Sequence, residues 1–340
     1  VVRLEGIKDL ADQFVRVRIP RIDEADLNLF EFDYDLTFMV FFLDANEHVY
    51  GRFGGRDAKS AEGRMSLAGL HYAMEGALET HKQANRLVGP DPPRPAPRTI
   101  REVATGRRMG GRCLHCHQVK EILNAELERA GKWDRDLAWR YPPPDNLGLV
   151  LSVDRGNQIE QIKAGSAAAK AGLQVGDLVQ CLNGIAIHSF GDAQYALDRA
   201  PKSGTIPVSW RHGDTTLEGE LTLTEGWRKT NVTWRPSMHR YRANVRLYGT
   251  DLTAKEKEAL GLSAKTLAFR QEERVHPQAR DAGIQGGDVI LGIDGQKLEM
   301  DVTDFVWYVQ DNYLRGDKIT VNLLRHGKRL DLPMTLSSGR

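Results

Sequence analysis

Cysteine is scarce in this chain: three residues in 340, so no framework of several disulfides can hold the fold. An apolar run of the ~20 residues needed to cross a bilayer is missing too, which gives no integral membrane segment. A surplus of one charge sign is also lacking. Lys and Arg number 47 against 46 Asp and Glu, a formal net charge of +1, so composition gives no reason to expect nucleic acid or an anionic membrane as partner. The hydrophobic fraction of 41% and charged fraction of 27% are those of an ordinary globular protein, and the length implies two to four domains. The first residue is Val1, not methionine, consistent with removal of a signal peptide or anchor.

The most specific short motif is Cys113-Leu114-His115-Cys116-His117. C-x-x-C-H is the pattern on which a c-type haem is mounted: two thiols form thioethers with the vinyl groups, and the adjacent imidazole reaches the iron. Cys113 and Cys116 are thus expected to anchor one covalent haem c, with His117 as metal ligand and proximal axial residue. A redox dithiol and half of a zinc site are the alternatives, but Cys181 is the only other cysteine. The sixth ligand is open between His81, on the apolar stripe of a helix, and Met238. Met109 stands close in sequence, and an open iron is the remaining case.

Upstream, Phe14 to Ile19 alternates apolar and cationic residues as a half-covered strand does. Thr37 to Leu43 reads as a strand, Asp44 to Glu47 as a turn and His48 to Phe53 as the hairpin partner. A helix is expected from about Ser60 to His81, with Leu67, Leu70, Met74, Leu78 and His81 on one face. This order resembles the later part of a thioredoxin fold, although the redox cysteines and the proline before the hairpin are lacking. The run Gly89 to Pro97 is a proline-rich extended linker. After His117, the spacing of Val119, Ile122, Leu123 and Leu127 predicts a helix, followed by Trp133, Trp139 and Tyr141 as aromatic cover for the porphyrin.

Downstream lies a repeat. Ala171-Gly172-Leu173-Gln174-Val175-Gly176-Asp177-Leu178-Val179 recurs as Ala282-Gly283-Ile284-Gln285-Gly286-Gly287-Asp288-Val289-Ile290, and Asn183-Gly184 recurs as Asp294-Gly295, each pair 111 positions apart. The pattern, with Gly165-Ser166-Ala167-Ala168 leading into the first helix, resembles the PDZ domain of the form found beside bacterial periplasmic proteases. The resemblance implies capture of peptide C-termini by strand addition, the carboxylate being received by backbone amides. The candidate loops are Leu147-Gly148-Leu149, with Leu151 lining the pocket beside it, and Leu260-Gly261-Leu262. The first copy, with its fuller approach to the helix, is the expected binder; rigid spacing without peptide binding is the alternative.

These elements predict a multidomain α+β chain. Its expected parts are a degenerate thioredoxin-like domain (1–88), a linker (89–99), a helical haem segment (100–146), a PDZ domain (147–225), an aromatic and basic connector (226–244) and a second PDZ domain (245–340). The whole resembles extracytoplasmic bacterial PDZ-containing c-type cytochromes. That resemblance implies a periplasmic or otherwise extracytoplasmic monohaem protein in electron transfer or redox sensing, with protein partners, C-terminal peptides or a redox partner. Oligomerisation stays open. The alternatives are a PDZ scaffold with a structural haem and, for a five-coordinate iron, a peroxidase-like enzyme. A protease is disfavoured for want of a G-N-S-G-G-like nucleophile loop, so the enzyme question leans towards no.

Overall fold

The computed structural model describes residues 6–84, 95–103 and 114–338. The chain divides into two compact units, Val1–Thr230 and Asn231–Arg340. The boundary falls inside the expected connector. Trp227 belongs to the core of the first unit, its indole donating to the Pro201 carbonyl at 3.0 Å. In the second unit, Val232, Met238 and Tyr241 are buried.

The first unit begins with helix α1 (Lys8–Ala11) and a hairpin of β1 (Val40–Leu43) and β2 (Val49–Phe53). Asp44 builds the hairpin turn, accepting from the amides of Asn46 and His48 at 2.8 and 3.0 Å. The two-residue strand period then sorts the side chains. Val40 and Phe42 pack with Leu70, Ala73, Met74 and Ala77 of helix α2 (Leu67–Ala84). Met39 and Phe41 pack on the other side, with Leu27, Phe32, Ile100, Val119 and Ile122. The last two lie on α3 (Cys116–Arg129), the helix predicted from their spacing. Helix α2 starts at Leu67 and not near Ser60: Ser66 Oγ accepts from the Gly69 amide at 2.9 Å, the geometry of an N-cap. Beneath α3, Lys120 Nζ lies 2.9 Å from Asp35 and 3.7 Å from Asp33, all three side chains buried.

The thioredoxin-like expectation is corrected here. Residues 14–19 form no strand, and Val15 and Val17 are 94% and 81% exposed. Among the described residues before 148, the only sheet is the β1–β2 pair. Alternation of valine with arginine therefore marks a segment without a sheet to join. Within the linker, 89–94 lie outside the described residues; the Ala96 carbonyl accepts from Asn28 at 2.7 Å and the Arg98 carbonyl from the Leu27 amide at 2.7 Å.

The rest of the first unit is β3 (Leu149–Leu151), β4 (Ile159–Ile162), α4 (Ala167–Lys170), β5 (Leu178–Leu182), β6 (Ile185–Ala186), α5 (Phe190–Asp198), β7 (Gly204–His212) and β8 (Thr215–Leu223). β3 pairs with β4, and the larger sheet runs β6-β5-β7-β8. The second unit contains β9 (Ala243–Asn244), β10 (Gly249–Asp251), α6 (Ala254–Ala259), β11 (Phe269–Gln271), α7 (Pro277–Asp281), β12 (Val289–Ile293), α8 (Val302–Asn312), β13 (Lys318–Arg325), β14 (Lys328–Thr335) and β15 (Ser337–Ser338). Its main sheet runs β10-β11-β12-β13-β14. The sequence repeat has a common physical basis in both units. Gly172 and Gly283 end α4 and α7 at φ +90° and +91°, where a side chain would be strained. Asp177 and Asp288 then accept from the amides of Gln174 and Gln285, each at 2.8 Å. A basic strand residue pairs with each aspartate: His212 at 2.6 Å and Arg325 at 2.8 Å. Asn183-Gly184 and Asp294-Gly295 take positive φ at both positions, as a type I′ turn requires.

Candidate functional site

Leu147, Gly148 and Leu149 lead the chain into β3 of the first repeat. The turn Pro144–Leu147 ends at Gly148, whose φ of +85° turns the chain into β3. A Cβ at Gly148 would stand 2.1 Å from Ser166 Oγ, so the loop is pressed against the cap of α4 and only glycine fits. Leu147, Leu149 and Leu151 are buried in the core with Ala193, Ala196 and Leu197 of α5.

Leu260, Gly261 and Leu262 lie elsewhere. They end α6: the Gly261 amide donates to the Glu258 carbonyl, the Leu262 amide to that of Lys257, and Gly261 sits at φ +69°. This is a helix stop. Sheet register pairs Gly148 with a different residue of the second repeat. Ile159 and Gln271 are equivalent, because each exchanges backbone bonds with the Gly-Asp turn, Gly176-Asp177 or Gly287-Asp288. Leu151 faces Ile159 and Gly249 faces Gln271, so Gly148 corresponds to Arg246. Arg246 has a φ of +53°, and its neighbours Val245 and Leu247 are fully buried, like Leu147 and Leu149. The second repeat carries α6 as an insertion between its loop and β11, and the Φ-G-Φ triplet lies inside that insertion.

The space between the end of β3 and the start of α5 in the first unit is filled by the chain's own residues. Arg52 of β2 donates its amide to Asp192 Oδ1 at 2.7 Å, and Ser189 Oγ donates to the Arg52 carbonyl. A Cβ at Gly55 would stand 2.5 Å from the Phe190 ring. Arg64 stacks over the same ring at 4.9 Å and bonds Asp145 at 2.8 Å and Asp57 at 3.2 Å. Further along, Ser66 donates to the Val153 carbonyl at 3.3 Å and Tyr72 to Asn157 at 2.9 Å. Between Leu151, Val153, Ser189, Phe190, Phe53 and Arg64, a void of only about 10 Å³ remains. Asp192 is fully buried there, and desolvation lifts its carboxyl to about 6 despite Arg52 nearby. A larger cavity of about 380 Å³ lies between α2 and β5, with Tyr72, Ile187, His188 and Arg211 in its wall.

His188, Ser189 and Asp192 bring together the residue types of a serine hydrolase, but not the geometry. The imidazole of His188 meets Thr80 Oγ1 at 3.1 Å, Ser189 Oγ is engaged with the Arg52 carbonyl and Asp192, and Asp192 accepts from the His188 amide at 3.1 Å. No proton path from serine to histidine is formed.

Residues 158–211 and 270–336 match PDZ domain family models. Both repeats are PDZ domains. The surrounding relatives are proteases. The chain is 25% identical over 148 residues to the periplasmic pH-dependent serine endoprotease DegQ of Escherichia coli strain K12, covering 44% of this chain and 30% of that protein. It is 24% identical over 151 residues to the probable periplasmic serine protease do/HhoA-like of Haemophilus influenzae, covering 44% and 29%. The chain thus spans about a third of the length of these relatives. Among solved structures, the HtrA-type protease AlgW with decapeptide is 22% identical, covering 39% of this chain and 41% of that one at a TM-score of 0.25.

These comparisons correct the cytochrome expectation, and with it electron transfer, redox sensing, the redox partner, the peroxidase alternative and covalent haem c: the relatives beside the PDZ domains are serine proteases. Cys113 and Met109 lie outside the described residues. The other residues assigned to haem have protein neighbours. Cys116 packs against the apolar cluster under α3, and burial pushes its thiol up, away from the thiolate. His117 Nδ1 lies 3.0 Å from Glu121, one turn along the helix. His81 meets the Tyr50 ring edge to face at 5.3 Å. Met238 is fully buried in the second unit. Trp139 and Tyr141, expected over a porphyrin, have protein partners instead: the indole donates to the Thr230 carbonyl just beyond the first PDZ domain at 3.0 Å, and the Tyr141 carbonyl accepts from Gln194 of α5 at 2.8 Å. Among the described residues, no group of three His, Cys, Asp or Glu side chains is placed to hold a metal ion, and no helix is long and apolar enough to cross a membrane.

Proposed function

We propose that this protein is an extracytoplasmic peptide-recognition protein whose PDZ domains capture extended C-terminal segments of other proteins. The supporting observation is the shared geometry of the two loops. Gly148 and Arg246 both turn the chain at positive φ, between buried apolar neighbours, into the strand beside which a peptide would add. Leu147, Gly148 and Leu149 would receive the terminal carboxylate in the first domain. In the second, the role moves from Leu260, Gly261 and Leu262 to the amides around Arg246. The periplasmic location of the relatives supports placement outside the cytoplasm. The test is calorimetric titration of the full chain with decapeptides ending in an apolar residue, free or amidated at the carboxyl end. Binding of the free form alone is expected.

The relatives favour a second reading, in which the chain is itself part of an endoproteolytic enzyme. A fluorophosphonate probe separates the two: covalent labelling of the chain together with cleavage of unfolded casein supports the protease, and absence of both supports recognition alone.

A further inference from the structure

The first PDZ domain presents a contradiction: its loop is formed, yet the place where a ligand's extended backbone would lie, between β3 and α5, already holds protein. The occupant is local and continuous, running from Arg52 to Arg64. Its backbone is held at the start of α5, with the Arg52 amide donating to the Asp192 side chain and the Arg52 carbonyl accepting from Ser189 Oγ, while β4 is the one strand partner of β3 among the described residues. Phe53 lies where an apolar side chain would enter, beside Leu151 and Phe190. Glycines on both sides allow the close approach. A Cβ at Gly191 would stand 3.0 Å from the Arg52 carbonyl oxygen and 3.1 Å from that of Gly54, and one at Gly55 would strike Phe190. The remaining void of about 10 Å³ holds no more than a water molecule.

The contact with α5 rests on polar groups and the Phe190 ring, whereas Arg52 and Phe53 belong to β2 and Phe53 is buried with Phe42, Leu70 and Met74, so the occupant can leave only with its hairpin. Residues 57–64 are exposed or half-buried, and Arg64 reaches in to Asp145, three residues before Gly148, from the end of this segment. We infer that residues 52–64, carried on the β1–β2 hairpin, act as an internal occupant that keeps peptides out of the first PDZ domain, so that this domain accepts a C-terminal peptide only when the hairpin has moved off α5. The inference rests on the peptide-binding reading and adds a gate to it. It also reverses the expectation that the first copy is the readier binder: in the resting chain, capture falls to the second domain.

The test uses the full chain and a pool of decapeptides with free, apolar C-termini, each carrying a benzophenone. Cross-linked segments are mapped by mass spectrometry in the wild type and in two variants that loosen the occupant, Arg64→Ala and Gly55→Val, with folding checked by circular dichroism. Cross-links confined to the second unit in the wild type are expected. In both variants, those to residues 149–153 and 190–198 should rise at least tenfold. Equal labelling of the first domain in wild type and variants would overturn the gate, and so would folded variants that label only the second unit. Labelling of neither unit in any protein would remove peptide recognition itself and the gate with it.

Discussion

The Arg52 amide and the Asp192 carboxylate, 2.7 Å apart, tie a strand near the start of the chain to the first turn of a PDZ helix 140 residues later. The fully buried carboxylate also accepts from the His188 amide, and Arg52 stacks on Tyr195 at 3.3 Å. The contact joins the amino-terminal hairpin and the first PDZ domain in one compact unit.

Asp192 makes that junction respond to pH. Desolvation raises its carboxyl to about 6 from the ordinary 3.8, against the pull of Arg52, so the folded chain holds a proton that the unfolded chain has lost between those values. Stability from this group is therefore fully present below about pH 4 and declines as pH rises through 6. Urea unfolding of Asp192→Asn should show a smaller fall in stability between pH 4.5 and 7 than the wild type. An identical slope would mean that Asp192 does not titrate in that window.

Gly69 tests the close approach of α2 to the PDZ domain. Alanine in a helix is normally better than glycine by about 1 kcal/mol. Here a Cβ would stand 2.3 Å from the Val153 carbonyl oxygen, a backbone atom that cannot swing aside. Overpacking of this kind costs roughly 1–3 kcal/mol. Gly69→Ala should lower the melting temperature; a rise would show that the two surfaces are not in contact.

The sequence disclosed the PDZ pair because its signals are local. A glycine at positive φ, an aspartate bonding three residues back and an Asn-Gly or Asp-Gly turn each belong to one short segment. The hairpin and α3 were legible for the same reason. What failed depends on partners distant in sequence. Val15 and Val17 alternate with arginine yet find no sheet, and Leu260-Gly261-Leu262 copies a loop pattern inside an inserted helix. C-x-x-C-H pointed to haem, whereas the relatives are proteases. The docked face of α2 does carry a local signal: Gly69 and Gly76 stand seven residues apart on one face, where a Cβ would meet the Val153 carbonyl oxygen and His188.

Lys120 should be indispensable under α3. Lys120→Met leaves Asp35 and Asp33 buried without the lysine, and breaking a buried pair this way costs about 3–5 kcal/mol. Adding Asp35→Asn should recover part of the loss, seen as a higher urea midpoint than in the single variant. No recovery would mean that the pair does not act as a unit.

The relocated loop gives a paired prediction for the second PDZ domain. Gly261→Ala places a side chain at φ +69°, at a cost of roughly 1–2 kcal/mol, while peptide affinity stays unchanged. Arg246→Val puts a β-branched residue at φ +53° in the loop that corresponds to Gly148, and should weaken peptide binding at least tenfold while the circular dichroism spectrum is retained. The reverse pattern would return the role to Leu260-Gly261-Leu262.

Recognition of a free peptide carboxylate is the centre of this account, and paired titrations of the full chain with one decapeptide pool, free or amidated at the C-terminus, test it most directly. Saturable binding of the free pool, with amidation weakening it at least tenfold, is the predicted result. Equal affinity for both forms, or heat of dilution alone from both, would contradict it.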